Sequence, residues 1–210
     1  MMNFFGTVKT SGIFEVKGKD GSVKQLISFK VADGVGNVFD CQMWPDDLQH
    51  GKLLQAMAQI GFRQLIQFEV AGYTVRLRTF KDGKQAPELK LIVTNVGFPA
   101  PGQATPPASM TFAGMLKSGR AFPIKGGPKM LLSFTVTDEG ANAWPCQMWG
   151  DDPQQAALLP VIPTVHRQPV TLEVVSYSLR MRKMPDGKEQ PQVNFVVSRV
   201  SLPTMNIQAA

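Results

Sequence analysis

The chain is written twice. CQMW stands at Cys41 to Trp44 and again at Cys146 to Trp149, and the flanks repeat with it. Upstream, LISFKVAD (Leu26 to Asp33) faces LLSFTVTD (Leu131 to Asp138); downstream, FEVAGYTVRLRTFKDGKQ (Phe68 to Gln85) faces LEVVSYSLRMRKMPDGKE (Leu172 to Glu189). The offset drifts from 108 (Met2 against Met110) through 105 at the cysteines to 104 (Tyr73 against Tyr177), so each copy is a unit of about 95 residues with short indels. That is the size of one small domain, and it lies far outside the period of stacked repeats. Whatever one copy folds into, the chain must form twice. Between the copies, GFPAPGQATPP (Gly97 to Pro107) holds four prolines and no charge, the composition of an extended, semi-stiff linker. The expected divisions are a first domain at 1–98, a linker at 99–109, a second domain at 110–203 and a short tail at 204–210.

Composition narrows the class. With 43% hydrophobic residues among 210, two modest cores can form. No apolar run approaches the length of a membrane span, and MMNFFGTVKT has no basic region leading into an apolar core, so the expectation is a soluble, cytoplasmic protein without membrane contact. One cysteine per copy, each inside an apolar strand, reads as a small buried hydrophobe. With His50 and His166 the only histidines, no metal cluster is expected. The net charge of +6 divides evenly, with 12 basic against 9 acidic residues in the first half and 10 against 7 in the second. Each domain is mildly basic, which points weakly to a polyanion.

Period-2 alternation rich in Val, Ile, Phe and Thr predicts strands. In the first copy they fall at Asn3 to Lys9 with a continuation at Ile13 to Lys17, then Val23 to Ala32, Val38 to Trp44, Leu65 to Phe80 and Glu88 to Val96. DGVGN (Asp33 to Asn37) and KDGK (Lys81 to Lys84) supply hairpin turns. Between the third and fourth strands, Leu53, Leu54, Met57 and Ile60 recur at helical spacing, behind Asp46 and Asp47 and before Gly61. In the second copy Pro153, Pro160 and Pro163 require a shorter or irregular helix. Five strands with a helix between the third and fourth make an all-β OB-fold, a Greek-key barrel, here in tandem. In the fourth strand the apolar phase reverses once, at Gly72 and again at Ser176, as a barrel corner requires.

Beyond that corner, Thr74, Arg76, Arg78 and Phe80 alternate with the apolar set, and the second copy places Ser178, Arg180, Arg182 and Met184 there. Two arginines on one strand face stand roughly 7 Å apart, close to the phosphate repeat of an extended polynucleotide. Lys81 and Lys84, and Lys183 and Lys188, extend the ridge onto the hairpin tips. Trp44 and Trp149 alternate with Cys41 and Met43, and with Cys146 and Met148, so they face outward if those face the core. An outward indole on a basic sheet is a stacking platform for unpaired bases. Phe39 and Trp144, of the opposite parity, are core or interface.

VFDCQMW followed by GKLLQAMAQIGFRQLIQFEVAGYTVRLRTFKDGKQAPELKLIVTNV resembles the second half of a bacterial single-stranded DNA-binding protein of the SSB family, over roughly 90 residues of each copy. The resemblance implies that Trp44 and Trp149 fall on a base-stacking aromatic, Phe80 on the aromatic of the hairpin, and Arg76, Arg78, Arg180 and Arg182 on the family's arginine pair. It also implies a homodimer that presents four OB-folds, since tandem variants pair in that way. The chain ends SLPTMNIQAA, without the family's acidic tail, so recruitment of partners through such a tail is not expected. The function expected is non-catalytic, sequence-independent binding of single-stranded DNA, or of RNA, with no cofactor and no small-molecule substrate. The rival is an adaptor that docks protein on the same faces. No catalytic set of residues repeats, and the DD after each CQMW fits a helix start better than a Mg²⁺ site.

Overall fold

A computed structural model describes residues 2–44, 65–99, 110–124, 126, 129–149, 158–164 and 167–202. Its strands are β1 (Met2–Lys17), β2 (Val23–Ala32), β3 (Val38–Met43), β4 (Leu65–Thr79), β5 (Gln85–Gly97), β6 (Met110–Pro123), β7 (Met130–Thr137), β8 (Ala143–Trp149), β9 (Pro169–Lys183) and β10 (Glu189–Ser201). The predicted helix at Asp46 to Gly61 and most of the linker lie outside the described residues.

The first five strands close on themselves. β1 pairs β2, β2 pairs β3, β3 runs parallel to β5, β5 pairs β4, and β4 returns to β1. The second five repeat the circuit as β6, β7, β8, β10, β9 and back to β6, with β8 and β10 parallel. This is the OB-fold topology twice. β1 is continuous where two segments were expected, because one strand serves two partners. Met2 to Thr7 pairs β4, and from Thr7 onward the strand pairs β2, with a bulge between Val8 and Thr10. β6 bulges at the equivalent place, between Leu116 and Ser118. An unpaired residue there raises the local twist enough for the strand to change sheets.

That crossing explains a glycine in each copy. A Cβ on Gly6 would meet Cγ1 of Val31 and would stand 2.8 Å from the Ala32 carbonyl oxygen; one on Gly114 would stand 2.5 Å from the Thr137 carbonyl and 2.7 Å from Cγ1 of Val136. Backbone cannot yield as a side-chain tip can. Gly6→Ala and Gly114→Ala are each expected to cost about 1–3 kcal/mol in urea unfolding, as overpacking does. Gly34, where a Cβ would have nothing within 4 Å, is the control expected to tolerate alanine.

The inward residues fill the barrels. Phe4, Phe29, Phe39 and Phe68 form the first centre, with Phe4 and Phe39 ring centroids 4.9 Å apart. In the second, Trp144 stands where the first has Phe39, packed between Phe112 (5.1 Å) and Phe195 (5.2 Å). Its indole Nε1 donates to Asp138 Oδ2 at 2.9 Å, so the buried ring leaves no polar group unpaired. Asp138 also accepts from Asn142. Burial raises its carboxyl pKa, but the bonds from Asn142 and Trp144 outweigh that and hold it below its ordinary value. Cys41 and Cys146 are buried in the barrel walls, where desolvation pushes their thiols far above the ordinary range. They are core, and chemically inert.

The corner in β4 falls at Val70 to Gly72. Glu69 faces Asn95, Val70 faces Val93 and Gly72 faces Ile92, so Ala71 and Thr94 are the extra residues on the two strands. Past this point the arm leaves the barrel. Leu77, placed with the apolar set by its parity, is 38% exposed. In the second copy, Leu158 to Thr164 makes one hydrogen-bonded turn, with Val161 and Ile162 N–H both donating to the Leu158 carbonyl. Ile162, wholly buried, lies against Gly119, and the segment that leads into Leu158, where the second copy's irregular helix is expected, lies outside the described residues.

Candidate functional site

Register decides which side chains share a face. On β3 the alternation puts Phe39, Cys41 and Met43 inside, so Val38, Asp40 and Trp44 face out, and Gln42 shares their side of the strand although it is buried. Asp40 lies opposite Lys90 on β5, and Lys90 lies opposite Thr74 on β4. Trp44, Lys90, Glu88, Arg76 and Arg78 therefore belong to one outer face of β3, β5 and β4. Six residues of β5 separate the level of Trp44 from that of Arg76, roughly 20 Å at about 3.3 Å per residue. The second barrel matches: Trp149 and Gln147 face out, Gln147 pairs Val196, and Gln147 Nε2 donates to Ser178 Oγ at 3.3 Å, on the strand that carries Arg180 and Arg182. Trp44 is 39% exposed and Trp149 45%.

The face holds an aromatic that sequence reasoning overlooked. In the second barrel, Phe122 lies opposite Leu131 and Leu131 opposite Trp149, so phenyl, isobutyl and indole form one rung across three strands. In the first, Phe14 lies opposite Leu26, and Ile27 pairs Met43, which puts Leu26 at the rung of Trp44. Phe14 is 56% exposed and Phe122 45%. The signal was present, since position 14 recurs as Phe122, but Trp44 lies 30 residues away and only the β1–β2–β3 pairing brings the two onto one rung.

The arginines are held differently from expectation. Arg76 Nε reaches Glu88 Oε2 at 3.1 Å and Arg78 Nη1 reaches Glu88 Oε1 at 3.3 Å, while Lys90 Nζ approaches Oε2 at 3.6 Å. Burial raises the Glu88 carboxyl pKa, but the Arg76 hydrogen bond and the charges of Lys90, Arg76 and Arg78 outweigh it, and the group stays below its ordinary value. Both arginine side chains remain more than half exposed, and Arg78 also lies over the Phe80 ring, 5.2 Å from its centroid. The hairpin register could have revealed Glu88: once Thr79 pairs Gln85 across the turn, Arg76 must face Glu88.

The tips are alike. Gly83 (φ 79°) and Gly187 (φ 81°) take the left-handed position of a turn in which Phe80 N–H donates to the Lys84 carbonyl and Met184 N–H to that of Lys188. Lys84 Nζ stands 3.2 Å from Asp82 and Lys188 Nζ 3.7 Å from Asp186, so these lysines are partly neutralised at the tip; Lys81 and Lys183 are exposed beside them. Phe80 is 44% exposed, whereas Met184 is half-buried. Among the described residues no group of three or more His, Cys, Asp or Glu could hold a metal ion, and no helix is long and apolar enough to cross a membrane.

No protein-family model matches the chain, and no curated protein matches its sequence. Among solved structures, the wild-type single-stranded DNA binding protein of Thermus aquaticus aligns over 100% of this chain and 95% of its own, at 12% identity and a TM-score of 0.51. A deletion mutant of the same Thermus protein aligns over 99% of this chain and 96% of its own at 13% identity, TM-score 0.49. The second OB-fold domain of replication protein A from Methanococcus maripaludis covers 49% of this chain and 86% of its own at 16% identity, TM-score 0.30. The chain has the fold of the first of these.

Proposed function

We propose that this protein binds single-stranded DNA, or unpaired RNA, without reading its sequence. The observation that supports this best is that one outer face of each barrel presents an exposed tryptophan, an exposed phenylalanine on the same rung two strands away, and an arginine pair roughly 20 Å along. The spacing suits an extended strand laid over the sheet. Arginines neutralise phosphates and release counterions, while rings stack on bases, for which any base has a suitable face. The likeness in fold to a protein described as single-stranded DNA binding agrees with this.

In this reading the domains are residues 1–98 and 110–203, and the linker at 99–109 keeps the second at high effective concentration once the first has bound. The site is Trp44, Arg76, Arg78, Phe80, Lys81 and Lys84 in the first barrel and Trp149, Arg180, Arg182, Lys183 and Lys188 in the second, with Phe14 and Phe122 added. Two chains pair to present four barrels, and the protein serves replication, recombination or repair in the cytoplasm without catalysing a reaction.

Titration with a dT oligonucleotide of about 30 nucleotides, the upper end for two OB-folds, is expected to quench tryptophan fluorescence. Four arginine contacts, one of them offset by Glu88, give a slope of log K against log salt of about −2, at about 0.7 per phosphate. Absence of quenching together with a slope near zero would refute the reading.

A further inference from the structure

The two faces differ in one respect that their shared motifs conceal. In the first barrel every central charge is already satisfied from within. Glu88 takes Arg76, Arg78 and Lys90, and Lys30 Nζ pairs Asp40 Oδ1 at 3.2 Å on the neighbouring strands. In the second barrel the positions of Glu88 and Lys90 are Gln192 and Asn194, and the pair equivalent to Lys30 and Asp40 is Thr135 opposite Pro145. Among the described residues Arg180 reaches only a neutral amide, Gln192 Oε1 at 3.5 Å. Among the described residues Arg182 has no ion-pair partner.

Asn194 adds an independent sign. It is 4% exposed, it alternates with the core residues Val193 and Phe195 and so shares the outer face with Gln192, and among the described residues its Nδ2 has no hydrogen-bond partner. A buried amide donor without a partner is costly in a native protein and marks a place that a ligand acceptor can complete. Its counterpart Lys90 is engaged by Glu88.

Resting on the single-strand-binding reading, we infer that the second barrel is the primary site, and that Glu88 acts in the first as an internal carboxylate that a phosphate must displace. Net charge does not distinguish the faces. Glu88 and Lys90 cancel, as Lys30 and Asp40 do, and their counterparts are neutral. The difference lies in whether the arginines must exchange one anion for another or acquire one directly. Exchange returns less free energy and releases fewer counterions. The second barrel therefore fills at lower oligonucleotide concentration, and the first follows.

The intact chain can report each barrel separately, because Trp144 is buried and only Trp44 and Trp149 are exposed. Trp44→Phe leaves the second barrel's reporter and Trp149→Phe the first's, each with an aromatic ring still in place. With an oligo-dT of about 10 nucleotides, within the range of one OB-fold, quenching of Trp149 is expected at roughly tenfold lower concentration than quenching of Trp44, the size of one charge-assisted contact. The exchange Glu88→Gln with Lys90→Asn keeps the net charge and installs the second barrel's pair in the first. It is expected to bring the Trp44 midpoint to that of Trp149. Should that variant fail to fold by circular dichroism, Glu88→Gln alone is expected to lower the Trp44 midpoint and steepen its salt slope by about 0.7. Coincident midpoints in the parent, or a Trp44 midpoint that does not move in the variant that folds, overturn the inference. Loss of all quenching in the parent would instead overturn the binding reading itself, so the two failures are distinguishable.

Discussion

Reversing both Arg180 and Arg182 to glutamate is expected to lower affinity for oligo-dT a hundredfold or more, while the thermal unfolding curve of the protein barely moves. Both side chains lie on an exposed strand arm, and among the described residues Arg180 reaches only a neutral amide and neither arginine forms an ion pair, so their removal breaks no ion pair there and surface changes of this kind stay within about 0.5 kcal/mol. Each charge-assisted contact to phosphate contributes about 1.5–3 kcal/mol, and reversal adds repulsion to the loss of two such contacts. The salt slope should also fall by about 1.4 in magnitude, two phosphates at about 0.7 each. A fluorescence titration at three salt concentrations reads both quantities. Unchanged affinity with an unchanged slope would remove the arginines from the binding face and favour an adaptor that docks protein there.

Two tryptophans five positions apart are expected to give opposite results. Trp144→Ala should destabilise the second barrel by about 3–5 kcal/mol, the usual cost of deleting a buried aromatic. It empties the space between Phe112 and Phe195 and removes the N–H donor that Asp138 accepts. Trp149→Ala should leave chemical denaturation close to the parent, because the indole is 45% exposed. It should weaken oligo-dT binding by about 5- to 150-fold, from about 1–3 kcal/mol per stacked base. Denaturation and titration of both variants check this in one experiment. A Trp149→Ala protein that binds as the parent does would show that the outward indole has no ligand, and one that unfolds like Trp144→Ala would show that it is structural.

Much of the fold was legible because local rules decide it. Alternation told Phe39 and Trp144 from Trp44 and Trp149, since a strand sends neighbours to opposite sides and only one side is dry. The Asp-Gly turns located the hairpins, because the glycine takes the positive φ that the reversal requires at Gly83 and Gly187. The phase reversal marked the corner of β4 to within two residues, although it could not show that the arm beyond leaves the barrel and exposes Leu77. The predicted helix at Asp46 to Gly61 lies outside the described residues.

What sequence alone determined, then, is duplication, alternation and turn chemistry: two five-stranded units, each with an inside and an outside, and the residue types on each. These depend on neighbours within a few positions along the chain. Which outward residues meet was decided only by the tertiary structure. Phe122 came to the rung of Trp149, Glu88 to the arginines and Asn194 to a dry position through registers fixed by bulges, glycine crossings and barrel closure. A shift of one residue in any of those pairings would turn every side chain of a strand to the other face, and no local pattern specifies the pairing of strands far apart in the chain.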